Sequence, residues 1–312
     1  MSVQSFADLG VSSAVVSSLS QQGVIEPFAI QRDVIGDVLR GRDVLGKSPT
    51  GSGKTLAFGI PVVDRTKAEG PRPSALVLAP TRELATQIVD DIRGIAHARA
   101  LRVTAVYGGV GLVKQARDAA RSQILVATPG RLEDLLARGA FTLDAIRILV
   151  LDEADRMLDM GFRPAVDRIV AHCPPSRQTL FFSATLDGEA GRVARRYTTD
   201  PAVHEHGPVA RRASADVEHR FVSVTLEHRV SALVDELRRA PGLTLVFVRT
   251  KHGADRLVKR LRAHGVDAVA MHGNKSQRQR EQASRALSPA RLRRSSPPML
   301  PPEGSTSVGS RR

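Results

Sequence analysis

Short, nearly unbroken apolar runs recur along the chain. Each closes on a polar or Gly/Pro turn and is followed by a longer stretch with apolar residues at helical spacing. The runs at 75–79 (ALVLA), 103–107 (VTAVY), 124–127 (ILVA), 146–151 (IRILVL) and 179–182 (TLFF) read as strands. A strand that is apolar at every position is covered on both faces, as in a parallel sheet clad with helices. Residues 82–96 and 111–121 read as two of the intervening helices. This alternation predicts an open α/β sheet, whose ligands bind beyond the carboxyl ends of the strands.

Periodicity fails around residues 204–216, where charge mixes with Gly and Pro. A first domain over 1–205 and a linker over 206–217 are therefore expected. A partial second α/β domain is expected over 218–287, with strands near 221–224, 243–248 and 268–271 and helices near 230–239 and 254–264. From 288 to 312 the chain is rich in Arg, Ser and Pro without periodicity. Such a composition buries too little apolar surface to offset the entropy of ordering, so disorder is expected there. No internal repeat of solenoid length is visible.

Composition changes this picture little. Hydrophobic residues make up 42% of the 312, enough for a packed core, and with 4% aromatics and no Trp that core is Val, Leu, Ile and Ala. No apolar run nears the ~20 residues that span a bilayer. The first residues lack the basic-then-apolar pattern of a signal peptide. Cys173 is the only cysteine, which excludes an internal disulfide. A cytoplasmic protein with no membrane partner is expected. The net charge of +14 favours a polyanion, nucleic acid first. Much of the excess lies late (Arg285, Arg291, Arg293, Arg294, Arg311, Arg312), so the charge is weak support.

Two segments carry chemistry. Ser48-Pro49-Thr50-Gly51-Ser52-Gly53-Lys54-Thr55 lies between a strand-like run at 43–46 and a helical run. It nearly matches the general phosphate-loop pattern, with Ser48 where that pattern has Gly or Ala. Glycines let successive N–H groups of Thr50, Gly51, Ser52 and Gly53 turn inward around phosphate oxygens. The following helix points its positive end at the anion. Lys54 places an ammonium on the outer phosphates, and the Thr55 hydroxyl suits Mg2+, a cation that prefers oxygen. The second segment, Asp152-Glu153-Ala154-Asp155, leaves the sheet at the end of the run 146–151. Asp152 is placed to hold Mg2+ and Glu153 to polarise an attacking water. Alone, such a cluster is usually a solvated strand end or a helix cap. A phosphate loop earlier in the same sheet favours the catalytic reading.

These residues spell DEAD, and the motif order from Phe6 to about Arg280 resembles the DEAD-box ATP-dependent RNA helicases of superfamily 2. The resemblance implies a RecA-like P-loop NTPase domain followed by a partial second RecA-like domain. It implies ATP and Mg2+ as cofactors, single-stranded or duplex RNA as partner, and ATP hydrolysis coupled to local RNA unwinding across the interdomain cleft. Residues 23–31 (GVIEPFAIQ) resemble the family's Q motif, in which Gln31 would read adenine; Val24 stands where that motif has an aromatic. Phe6 sits at the spacing of an upstream aromatic of the nucleotide site. Arg82, the pair Gly108-Gly109, Thr128 and Arg131 fall in motifs that resemble the RNA-contact segments. Ser183-Ala184-Thr185 resembles the motif that couples ATP state to RNA separation, with its hydroxyls bonding toward Asp155. Thr250, in a segment like motif IV, would lie near an RNA phosphate, and Gln277 and Arg280 resemble the QxxR segment.

After this point the family has a strand ending Ala-Thr-Asp-x-Ala-Ala-Arg-Gly-x-Asp and a motif with two arginines; neither is in the sequence. Permissible codons for residues 295–307 (SSPPMLPPEGSTS), read one base earlier, spell Leu/Val-Val-Ala-Thr-Asp-Val-Ala-Ala-Arg-Gly-Ile-Asp-Val. The coding frame is therefore expected to slip near Leu287, by mutation or by sequencing error, leaving an out-of-frame tail, a truncated second domain and impaired unwinding in this chain. The rival readings are a non-catalytic nucleotide- or RNA-binding fragment and another P-loop motor such as a DNA translocase.

Overall fold

Alternate residues of each central strand face opposite cores. On β2 (Ala75–Leu78), Ala75 and Val77 join one hydrophobic cluster, while Leu76 and Leu78 join another. β5 (Ile148–Leu151) divides the same way, Ile148 and Val150 against Leu149 and Leu151. Successive side chains of a strand point to opposite faces, so a run apolar at every position needs cover on both. That cover is present. In the computed structural model, residues 4–49, 51–206, 220–240, 242–275, 279–280 and 306–311 are described. The chain divides into two units, Met1–Arg211 and Arg212–Arg312.

The first unit adds β1 (Val44–Lys47), β3 (Val103–Val106), β4 (Ile124–Ala127), β6 (Gln178–Ser183) and β7 (Ala202–Glu205). The seven strands are all parallel, in the order β3-β4-β2-β5-β6-β1-β7. α1 (Ser13–Gln21), α2 (Ala29–Leu39), α3 (Lys54–Arg65) and α4 (Arg82–Ala98) pack in the first cluster. α5 (Leu112–Ala120), α6 (Pro129–Ala137), α7 (Ala154–Asp159), α8 (Arg163–Ala171) and α9 (Gly188–Tyr197) pack in the second. This is the open parallel α/β sheet expected from the hydrophobic pattern. One strand was not expected: His204 and Glu205, read as the approach to a linker, belong to β7, which pairs with β1. Its side chains are partly exposed, so an edge strand lacks the continuous apolar signature.

The second unit comprises α10 (Arg229–Arg239), β8 (Thr244–Val248), α11 (Lys251–Ala263), β9 (Asp267–Met271) and β10 (Thr306–Arg311). The expected strand at 221–224 does not form; Phe221, Val222 and Val224 are exposed. Apolar, β-branched sequence becomes a strand only where a neighbouring backbone supplies partners. The disorder expected over 288–312 does not extend to 306–311, because β10 pairs antiparallel with both β8 and β9. Strand edges with unpaired N–H and C=O groups template a further strand, a force that composition does not register. Residues 281–305 lie outside the described residues.

Candidate functional site

The phosphate loop leaves the carboxyl end of β1 and opens α3, whose N-cap Gly53 has φ +90°. That left-handed conformation is cheap only for glycine. Lys54 is buried at the first helical position, and its Nζ donates to the Ser48 carbonyl at 2.6 Å. Ser48 Oγ donates to Ser52 Oγ at 2.6 Å, so the serine in the Gly/Ala position closes the loop across itself. Ser48 N–H donates to the Ser183 carbonyl at 3.1 Å, tying the loop to the end of β6. Thr55 is half-buried one residue on; Thr50 lies outside the described residues.

Asp152 follows β5 and is 2% exposed. Burial pushes its carboxyl up to about 6, against the pull of the Lys54 ammonium, which favours the charged form. Its Oδ1 accepts the Glu153 N–H at 3.0 Å. Glu153 has φ +49°, a left-handed conformation at a non-glycine residue, and its Oε2 pairs with Arg156 Nη1 at 3.1 Å. Such a conformation costs about 1–2 kcal/mol, strain typical of functional positions. Arg156 was not singled out in the sequence; its i+3 spacing from Glu153 was the available signal.

Asp155 Oδ2 accepts the N–H groups of Ala184 at 3.1 Å and Thr185 at 3.2 Å. The link between the acidic motif and the Ser-Ala-Thr segment therefore exists, but through backbone amides rather than the expected hydroxyls. Ser183 Oγ accepts the Thr185 N–H at 3.3 Å instead. One carboxylate oxygen accepts both adjacent amides at the turn, and its charge makes these bonds stronger than those to a neutral hydroxyl.

Gln31 is 1% exposed in the first turn of α2. Its Oε1 accepts the Phe28 N–H at 2.9 Å and its Nε2 donates to the Gly53 carbonyl at 3.0 Å, joining α2 to the phosphate loop. Phe6 departs from its expected role: it is 2% exposed and packs within the first core cluster, with no ring face open to a ligand. In a chain this poor in aromatics, a lone Phe beside an amphipathic helix is recruited by the core.

The remaining motif residues of the first unit gather beyond β2, β3 and β4. Arg82 opens α4 after Thr81, whose side chain accepts the Leu84 N–H. Its guanidinium lies against Gly108 and Gly109, and a Cβ at Gly109, whose φ is +88°, would displace it. Thr128 is the N-cap residue of α6 and its N–H donates to the Val106 carbonyl at 2.9 Å. Arg131 Nη1 donates to the Val110 carbonyl at 3.1 Å and to Gln115 Oε1 at 3.0 Å. Arg82 at the start of α4 and Arg131 in the first turn of α6 thus brace the glycine-rich loop that leads into α5. Gln115 was not foreseen; a glutamine buried on an amphipathic helix was its only signal. Thr250 lies in the second unit, where its hydroxyl oxygen caps α11 by accepting the Gly253 N–H at 3.0 Å. Gln277 lies outside the described residues. Among the described residues no helix is long and apolar enough to cross a membrane.

The chain is similar to known proteins in sequence and in fold. The chain is 37% identical over 280 residues to the ATP-dependent RNA helicase CshA of Limosilactobacillus reuteri, covering 88% of this chain and 56% of that protein. It is 38% identical over 287 residues to DEAD-box ATP-dependent RNA helicase 20 of Oryza sativa subsp. japonica, covering 89% and 58%. The chain thus spans about half the length of the curated relatives it matches. The crystal structure of a DEAD box protein from the hyperthermophile Methanococcus jannaschii superposes with a TM-score of 0.63 at 33% identity, covering 91% of this chain and 77% of that one. The model of the DEAD/DEAH box helicase family matches residues 28–193, which hold every nucleotide-site motif described above from Gln31 to Thr185, and the chain belongs to that family.

Proposed function

We infer that the chain binds ATP with Mg2+ on its first unit and grips single-stranded RNA there by its backbone. Its activity is RNA-stimulated ATP hydrolysis coupled to local opening of RNA duplexes. One observation carries the reading: a continuous hydrogen-bonded set joins the phosphate loop, the acidic motif and the Ser-Ala-Thr segment. Ser48 bonds Ser183, and Asp155 bonds Ala184 and Thr185. Whatever the phosphate loop holds is thereby tied to the segment after β6.

Lys54 leaves the Ser48 carbonyl to meet the outer phosphates. The Thr55 hydroxyl and the Asp152 carboxylate form an all-oxygen donor set suited to Mg2+, and a cation beside the buried Asp152 offsets the cost of its charge. When bound, Mg2+ neutralises charge on the phosphoryl oxygens. Glu153 orients the attacking water and accepts its proton, with Arg156 holding the carboxylate in place. Gln31 has one N–H and one lone pair left after its two internal bonds. Adenine offers the complement, N7 as acceptor and N6–H as donor, whereas guanine offers two acceptors. Arg82, Arg131, the amides of Gly108 and Gly109, and the Thr128 hydroxyl suit phosphate contacts that read little sequence. Thr250 adds a hydroxyl of the same kind in the second unit.

Phosphate release from ATP, measured with and without single-stranded RNA on the chain and on its Glu153→Gln variant, tests this. Release that RNA stimulates and Glu153→Gln abolishes, with ADP binding retained, is expected. ADP binding without RNA-stimulated release favours a non-catalytic binding fragment, and stimulation by duplex DNA alone favours a DNA motor.

A further inference from the structure

The two edges of the seven-stranded sheet are not protected alike. β7 follows Pro201 and carries His204 and Glu205, the latter paired with Lys47 Nζ at 3.4 Å. Proline and charge are the usual guards of an open strand edge. β3 (Val-Thr-Ala-Val) has neither, and among the described residues it pairs only with β4. The Arg102 carbonyl accepts the Ile124 N–H at 3.1 Å, and the Val106 carbonyl accepts the Thr128 N–H at 2.9 Å. Bonds to one neighbour use every second residue of a strand, so Arg102, Thr104 and Val106 face β4. Val103 and Ala105 therefore turn their N–H and C=O groups outward. This edge is recessed, for both residues are half-buried. A groove of about 280 Å³ lies against the amino end of β3. α4 covers one face of the sheet there and α5 the other. Arg93 and His97 line the groove from α4, Asp118 and Ser122 from the α5 side, with Arg102 and Thr104 between them. Arg93 pairs with Asp90 at 3.0 Å and Asp118 with Arg117 at 3.8 Å, so those charges cancel. Arg102 is exposed and has no acidic partner among the described residues, which leaves the groove cationic.

We propose that the β3 edge is a docking site for an acidic segment of a partner protein, which adds to the sheet as a further extended strand. Main-chain bonds to Val103 and Ala105 supply the affinity, and alternate side chains supply the choice. On the α4 side the added strand meets Arg93 and His97, where carboxylates are favoured. On the α5 side it meets the Thr104 and Ser122 hydroxyls, which bond each other at 2.6 Å and suit Ser or Thr. A nucleic-acid backbone fits less well: its phosphates accept but do not donate, so the outward carbonyls of Val103 and Ala105 would stay unmet. The groove also lies at the amino end of its strand, whereas the phosphate loop leaves the carboxyl end of β1. A docked segment therefore does not compete with a ligand of that loop.

The test titrates the isotope-labelled full chain with the peptide acetyl-Thr-Glu-Thr-Glu-Thr-Glu-Thr-amide at low salt and follows amide exchange by NMR. Exchange at Val103 and Ala105 should slow, while the Thr104 amide, which faces β4, should not change. Ala105→Pro removes one outward donor at an edge position, where proline is tolerated, and should weaken binding by about 10-fold or more with the β4 ladder intact. Arg102→Glu, at an exposed position, should weaken it comparably without altering the backbone. The same peptide with Lys in place of Glu should bind about 10-fold more weakly or worse. No slowing at Val103 and Ala105, affinity that survives both substitutions, or equal binding of the Lys peptide overturns the proposal. So does oligo(U) slowing these amides where the peptide does not, since the groove is then a nucleic-acid contact.

Discussion

Replacing Asp152 by asparagine should make the protein more stable at neutral pH, and the gain should vanish in acid. The carboxyl is buried, and its pKa is raised from 3.8 to about 6. A raised carboxyl pKa means that the fold prefers the protonated form. The associated stability is complete below pH 3.8 and is lost as pH rises through about 6. At 1.36 kcal/mol per pH unit, the ionised carboxylate costs the fold about 3 kcal/mol above that window. Asparagine mimics the protonated acid in size and keeps an oxygen for the Glu153 N–H bond. Asp152→Asn should therefore raise the unfolding free energy by up to about 3 kcal/mol at pH 8, the two curves converging near pH 4. Urea unfolding in a chelating buffer, measured across pH 4–8 on both proteins, gives the answer. A variant no more stable than its parent at pH 8, or a gap that does not narrow between pH 6 and pH 4, refutes the reasoning. The gain should come with loss of metal-dependent nucleotide binding, the usual trade between stability and a strained functional group.

Three further outcomes follow from the same geometry. Asp155→Ala removes the acceptor of the Ala184 and Thr185 amides; RNA-stimulated phosphate release should fall while ADP affinity, measured by titration, stays within about 2-fold, since the bonds of Asp155 go to the segment after β6 rather than to the phosphate loop among the described residues. Arg82→Ala should weaken binding to single-stranded RNA alike for poly(U) and poly(A), and should lower the salt slope by about 0.7 if one phosphate contact is lost. Thr81→Ala deletes the side-chain cap of α4 and should cost about 1 kcal/mol in urea unfolding, with Thr81→Ser retaining most of it.

The fold of the first unit was legible because its strands are buried on both faces and declare themselves as unbroken apolar runs. β7 was not, because an edge strand with exposed side chains carries no such pattern. β10 was hidden for another reason: its stability comes from the edges of β8 and β9, a property of the assembled sheet rather than of the segment. At the site, residue types and order pointed to Lys54 and Asp152 as candidates for phosphate and metal chemistry, while Gln31 was picked out only by the family resemblance. The finer wiring was out of reach. Whether Asp155 meets hydroxyls or amides depends on a turn after β6, and whether Phe6 faces a ligand or the core depends on packing between helices distant in sequence.

The bond from Lys54 to the Ser48 carbonyl, with the Ser48–Ser52 hydroxyl bridge beside it, gives the loop's ammonium a partner within the loop itself. Occupancy is then an exchange, in which a newcomer is admitted only if it outbids what it evicts. A lone inorganic phosphate or sulfate offers one anionic group against a bond already satisfied. A di- or triphosphate engages the ammonium and several loop amides together. On the nucleotide reading proposed above, the internal bond of Lys54 sets a threshold that a chain of phosphates crosses more readily than a single small anion.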